Sequence, residues 1–330
     1  MASKIQRNNR KTALEILQSP EFLARICDCK LSWLERVIEN TSEFYITFEK
    51  PKKDGTPREI TPPTKKLRFV QYRIMDLLYS IIPVFSQRVC GGLKGRSIRK
   101  HASYHLQKQL LVTMDVSNFF PTTTIEMVSR ALEQVLNPES SRFIASLCTY
   151  NSCLPQGSPT SMLLANMCFL PIDRKMISHC KYHKLDYSRY VDDIAISGDI
   201  NFESHIETFS NFIMGEGYEV ATKKTKILPQ GQEQIVTGLV VNCNMRPTKE
   251  YISTVRKTIE ECLEVGVVLE AARLGLTVGA LKSKLNGKVR YILGFDKKHG
   301  SALKRKLYQL WLKEKATISC KADAIGIDPV

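Results

Sequence analysis

The sequence predicts an α+β fold that gives way to an all-helical C-terminal part, and three observations carry this expectation. Strand and helix patterns interleave from about residue 46 to 244, and an Asp54-Gly55 pair separates two β-prone runs. After Pro247, three Lys- and Arg-rich helical stretches follow without a strand signal. The expected organisation is a helical segment over 1–45, an α+β body over 46–244, a helical subdomain over 245–316 and a loose tail over 317–330.

In chain order, Ser19-Pro20 marks one helix start, and Ser32 with Glu35 reads as a capping box that opens another. The runs on either side of Asp54-Gly55 form a hairpin. Leu67, Val70, Ile74, Leu77 and Leu78 fall at helical spacing, so they form the buried face of a helix that ends before Pro83. Leu110 to Val116 reads as a strand, and Thr124 to Leu136 as a helix stopped by Asn137-Pro138. One long helix follows Pro159. A strand pair spans Tyr187 to Ser197, a helix Phe202 to Met214, and a β segment Gln234 to Asn242. The final helices are expected near 248–264, 277–293 and 297–315.

The 330 residues carry 48 Lys+Arg against 33 Asp+Glu, a formal net charge of +15, which suits a protein that sits on phosphate backbones. The basic, polar start has no apolar run behind it, and no segment approaches membrane-spanning length. A cytoplasmic location with no membrane partner follows. The ten cysteines are then expected as free thiols. His179 and His183 share a helix face, but no second ligand cluster lies near them in sequence, so a metal site is not expected there.

The informative acids are Asp115, Asp192 and Asp193. Strand interiors disfavour Asp, whereas a tight hairpin tip accepts it, so Asp192-Asp193 should project from a turn between strands. Alternation along Leu110–Val116 buries Val112, Met114 and Val116 and turns Asp115 the other way. If the two strands are neighbours, three carboxylates converge and require hard divalent cations. Two such ions suit a polymerase or a nuclease, and spacing does not choose between them.

The surrounding residues resemble the reverse transcriptases. Tyr190-Val191-Asp192-Asp193 is similar to that family's catalytic hairpin, and Asp115 with Phe119-Phe120 to its first catalytic strand. Leu154 to Pro159 resembles its nucleotide pocket. The resemblance implies a right-hand polymerase fold, with fingers and palm over 46–244 and a thumb beyond. It also implies two Mg²⁺ ions, with Mn²⁺ as a substitute, held by Asp115, Asp192 and Asp193, with Val116 as a further metal contact. Arg58, Phe120, Gln156, Gly157 and Tyr190 would meet the incoming dNTP. Phe120 would block a ribose 2′-hydroxyl, and Lys224 would donate a proton near the pyrophosphate.

Val236-Thr237-Gly238 resembles the signature of the retron branch, in which the enzyme copies a structured RNA encoded beside it. His101-Ala102-Ser103-Tyr104-His105 matches that branch's Asn-Ala-x-x-His with His in place of Asn, which puts the role of the Asn in doubt. No segment resembles an endonuclease, maturase or RNase H domain. The resemblance implies RNA contacts at Arg96, His105, Val236, Thr237 and Gly238. The basic helices would add phosphate contacts at Lys282, Lys284, Lys288, Arg290, Lys304 and Arg305. It further implies a cognate msr-msd-type non-coding RNA, a branched msDNA product primed from a guanosine 2′-hydroxyl, and a separate effector protein in anti-phage defence. Alternatives are a reverse transcriptase of another bacterial lineage and a non-catalytic RNA-binding protein of the same shape.

Overall fold

The computed structural model describes the backbone of residues 2–51, 55–82 and 84–325; Asp54 and Pro83 lie outside them. The chain divides into two compact units, Met1–Pro229 and Gln230–Val330.

The first unit opens with helices α1 (Ala2–Leu17), α2 (Pro20–Ile26) and α3 (Leu31–Glu39). Ser19 caps α2 through the Phe22 amide, as its sequence suggests. The Ser32 capping box does not form, because α3 already starts at Leu31 and Ser32 lies inside it. Leu17, Leu23, Leu34 and Val37 enter the same apolar core as Leu67, Val70, Ile74 and Leu78 of α4 (Lys65–Ile81), so these helices are part of the body. Between them, β1 (Phe48–Pro51) and β2 (Pro57–Ile60) form the expected antiparallel hairpin, with all but Ile60 exposed.

After α5 (Ile98–Ser103) comes β3 (Leu110–Asp115), then α6 (Phe119–Thr122), α7 (Ile125–Leu132) and α8 (Pro138–Cys148). The helix expected to run to Leu136 ends at Leu132, so Asn137-Pro138 does not stop it but begins α8: the Asn137 side chain accepts the Ser140 amide while Pro138 takes the first helical position. The long helix expected after Pro159 is two, α9 (Ser161–Cys168) and α10 (Leu170–Tyr182), which meet at Phe169 just ahead of Pro171. Then follow β4 (Asp186–Tyr190), β5 (Asp193–Gly198), a 3₁₀ turn (Glu203–His205), α11 (Ile206–Met214) and β6 (Lys226–Pro229). These strands build one antiparallel sheet in the order β4-β5-β3-β6.

The second unit holds a meander, β7 (Ile235–Val236), β8 (Leu239–Val240) and β9 (Arg246–Pro247). Four helices follow: α12 (Lys249–Val265), α13 (Val267–Arg273), α14 (Val278–Phe295) and α15 (Lys297–Ile325). The boundary falls at 229 instead of 244 because β9 packs against α14. α13 was not expected; Gly266, at φ +92°, breaks the run between it and α12. The tail expected from 317 is helical to Ile325, since no glycine or proline interrupts the sequence before Gly326. Among the described residues, no helix is long and apolar enough to cross a membrane.

Gly91 shows how closely the body packs beside the β4–β5 hairpin. A Cβ there would lie 2.3 Å from the Val191 amide nitrogen and 2.8 Å from the Tyr190 carbonyl carbon, both backbone atoms that cannot swing away. Gly287 lies on an exposed face of α14 with nothing within 4 Å of an added Cβ. Calorimetry of the single variants is therefore expected to show Gly91→Ala lowering the melting midpoint of the first unit. Gly287→Ala should stabilise the helical unit by about 0.5–1 kcal/mol.

Candidate active site

The sheet register brings the acids together. Asp115, at the end of β3, lies directly opposite Asp193, the first residue of β5, so their side chains stand on one face. Tyr190 also pairs with Asp193, leaving Val191-Asp192 as a two-residue turn. The Val116 amide donates to the Asp192 carbonyl at 3.2 Å and ties that turn to the end of β3.

Val191 occupies the left-handed region at φ +64°, an unfavourable place for a β-branched residue. Its surroundings hold it there. The Arg189 guanidinium donates to the Val191 carbonyl at 2.7 Å, and the same guanidinium makes a two-point ion pair with Asp173 at 2.6 and 2.9 Å. Both residues are fully buried. Tyr187 donates to Asp173 at 2.6 Å, and Phe169 lies under the guanidinium at 4.4 Å.

Electrostatics at the acids favour a cation. Burial, and then the Asp115 charge, raise the Asp192 carboxyl above its ordinary range; its backbone hydrogen bond, Lys224 and Arg58 pull it back. The Lys224 ammonium donates to Asp115 at 2.9 Å, and that hydrogen bond raises the lysine's pKa and keeps it protonated. Carboxylate oxygens crowded around a borrowed ammonium are a donor set that fits hard divalent metal ions.

A cleft of about 640 Å³ is lined by Phe120, Gln156, Gly157, Ser158, Met162 and the hairpin residues Phe48 and Ile60, among others. The neighbouring phenylalanines divide the work: Phe119 is 3% exposed and stacks with Phe169 and Tyr218, while Phe120 faces the cleft. Gly157, at φ +116°, supplies a turn that other residues rarely adopt. Buried Gln71 donates to Tyr45 and to the Leu147 carbonyl and accepts from Ser158, which fixes the cleft wall to α4 and α8. Arg58 is exposed on β2 and reaches the acids through its charge; Tyr190 stands at the hairpin end, outside the residues that line the cleft. Sequence reasoning missed Arg68 and Tyr72, which also line the cleft from α4. Their only signal was a place on the helix away from its apolar stripe.

Burial overturns two of the expected RNA contacts, His105 and Val236. His105 is fully buried, so it does not face RNA; its ring bonds Ser197 and Ser188, each at 2.7 Å, and His101 bonds the same Ser188 at 2.7 Å. The pair thus braces β4 and β5 from behind. Val236 is 1% exposed, so its side chain does not face RNA either. Val116 is equally buried and its side chain has no donor atom, so a metal contact at this position falls to its backbone carbonyl. Arg96 donates to the Phe85 and Ser86 carbonyls, and Lys282 pairs with Glu314 inside its own unit. Thr237 and Gly238 form the β7–β8 turn with φ of +45° and +79°, a hairpin geometry that glycine suits and threonine resists. The nine described cysteines are free thiols.

Comparison with known proteins fits this geometry. Residues 50–250 match the family described as reverse transcriptase (RNA-dependent DNA polymerase), and the chain belongs to it. Its relatives include the Retron Mx65 reverse transcriptase of Myxococcus xanthus, 30% identical over 238 residues, covering 66% of this chain and 56% of the relative. The Retron Mx162 reverse transcriptase of the same organism is 28% identical over 268 residues, covering 71% and 55%. The Retron Ec73 reverse transcriptase of Escherichia coli is 28% identical over 284 residues, covering 78% and 85%. The chain therefore spans little more than half the length of the two Myxococcus proteins, and the resemblance to the retron type holds.

Burial holds the His101 imidazole down to about 3 and that of His105 well below its usual 6.5. Both are neutral in the folded chain and take up protons once it unfolds. Their stabilisation is complete above pH 6.5 and is lost as pH falls from there towards 3. Denaturant unfolding between pH 7 and 4.5 should lose up to about 1.4 kcal/mol per pH unit for each histidine. A slope left unchanged by His101→Gln and His105→Gln would remove this assignment.

Proposed function

We propose that this chain is an RNA-directed DNA polymerase that copies a cognate structured RNA into single-stranded DNA. The observation that carries the reading is the register that sets Asp115 opposite Asp193, with Asp192 in the adjoining β4–β5 turn, in a chain that also forms the Phe120–Gln156–Gly157 cleft.

In this reading Asp115, Asp192 and Asp193 hold two Mg²⁺ ions. Once bound, these lower the charge of the triphosphate and activate the primer hydroxyl. The protein's own residues do the rest. Gln156 and Gly157 seat the incoming dNTP, and Arg58 meets its phosphates from the exposed hairpin. The Phe120 ring stands where a 2′-hydroxyl would intrude and so selects deoxyribose. Lys224 is protonated beside Asp115 and donates its proton to the departing pyrophosphate.

For the RNA partner, support comes from cations in the helical unit. Lys284, Arg290, Lys304 and Arg305 are exposed, and Lys288 is held below its ordinary pKa by burial and by Lys284 four residues away. Such crowding of cations is relieved by phosphate. Gly238 is exposed in the β7–β8 turn, which leaves its backbone open to a contact there. The retron relatives extend the proposal to an msr-msd-type RNA, priming from a guanosine 2′-hydroxyl, a branched msDNA product and an effector protein.

Primer extension on an RNA template with Mg²⁺ and dNTPs tests the reading. Asp192→Asn is expected to abolish extension, by about 10³-fold or more, while the fold is retained. Phe120→Val should extend with ribonucleotides that the parent rejects. Full activity of Asp192→Asn would sink the mechanism, and unchanged sugar selectivity in Phe120→Val would sink the gate.

A further inference from the structure

Outside the cleft and the aspartates, the structure joins His205 to the His179–His183 pair. His179 lies in the last turn of α10 and His183 caps it, four residues on and therefore on the same face. His205 arrives from the 3₁₀ turn after β5. One ring nitrogen from each falls within 4.8 Å of the others, and the ring centroids are 4.3–5.0 Å apart. His179 Nε2 and His205 Nδ1 are 2.9 Å apart. All three are half-buried, with Phe209 and Phe212 edge-on to His179 and Tyr182 beside His183.

We propose that His179, His183 and His205 form a binding site for one divalent transition-metal ion of the zinc type, separate from the aspartate site and independent of the polymerase reading. Imidazole nitrogen suits zinc, cobalt, nickel and copper, whereas Mg²⁺ prefers oxygen. Zn–N bonds of about 2.0–2.1 Å require nitrogens a little over 3 Å apart, so small ring rotations close the present arrangement. A half-buried set of three leaves the fourth position to water.

The chain between His183 and His205 is the β4–β5 hairpin that carries Asp192 and Asp193. An ion held by these histidines closes that segment at its base, and its role is a structural clamp on the hairpin.

Titration of the full-length protein with Co²⁺ alone tests the site through the visible d–d bands of tetrahedral cobalt. One ion per chain is expected, with a dissociation constant in the micromolar range or tighter. The spectrum should lack a thiolate charge-transfer band, persist in excess Mg²⁺ and in Asp192→Asn, and vanish on adding Zn²⁺. Zn²⁺ should also raise the melting midpoint, and EDTA should reverse the rise. His183→Gln and His205→Gln should each weaken binding about tenfold or more. Should either variant lose its fold, Zn²⁺ protection of the three histidines from diethyl pyrocarbonate in the parent protein gives the same reading. Binding unchanged in both variants, loss of binding in Asp192→Asn, a dissociation constant above about a millimolar, or no protection would each overturn the proposal.

Discussion

The buried ion pair between Arg189 and Asp173 is the constraint on which the candidate active site depends. A guanidinium inside a strand is costly to desolvate, and burial alone would lower its pKa; the Asp173 charge outweighs this and raises it. Every feature around the pair completes that compensation. Tyr187 gives Asp173 a further hydrogen bond, Phe169 offers its face, and the remaining guanidinium nitrogen donates to Val191. The backbone of Arg189 is engaged as well, through the Arg88 carbonyl at 2.9 Å and the Cys90 amide at 2.7 Å.

From that pair the geometry of the acids follows. Val191 can remain left-handed only because its carbonyl is held by Arg189 and its amide faces Gly91, where no Cβ intervenes. With Val191 fixed, the two-residue turn presents Asp192 beside Val116 and Asp193 opposite Asp115. His101 and His105 press on the same two strands through Ser188 and Ser197. A set of mutually repelling carboxylates is thus mounted on a rigid, over-determined support, the arrangement expected where metal ions must be received without rearrangement.

Much of this was legible in the sequence, for definite reasons. Asp54-Gly55 and the alternating runs encode local geometry, and Asp115, Asp192 and Asp193 stand out because acids are rare among β-prone neighbours. Phe120, Gln156 and Gly157 were read from resemblance, and the fold brings them to one cleft. What escaped depends on partners distant along the chain. Asp173 lies sixteen residues before Arg189, and nothing local marks it as a counter-ion. His105 looks like an RNA contact until its serines are found across the sheet, and His205 completes the His179–His183 pair only through the turn after β5. Asn137-Pro138 was misleading for a different reason: it caps the helix that follows, while α7 has already ended at Leu132.

A double-mutant cycle on Arg189 and Asp173, read as unfolding free energy, tests the central claim most directly. Arg189→Met and Asp173→Leu should each cost about 3–5 kcal/mol, because each strands a buried charge, while the double variant should cost far less than their sum. Two single variants with small, additive effects would contradict the account.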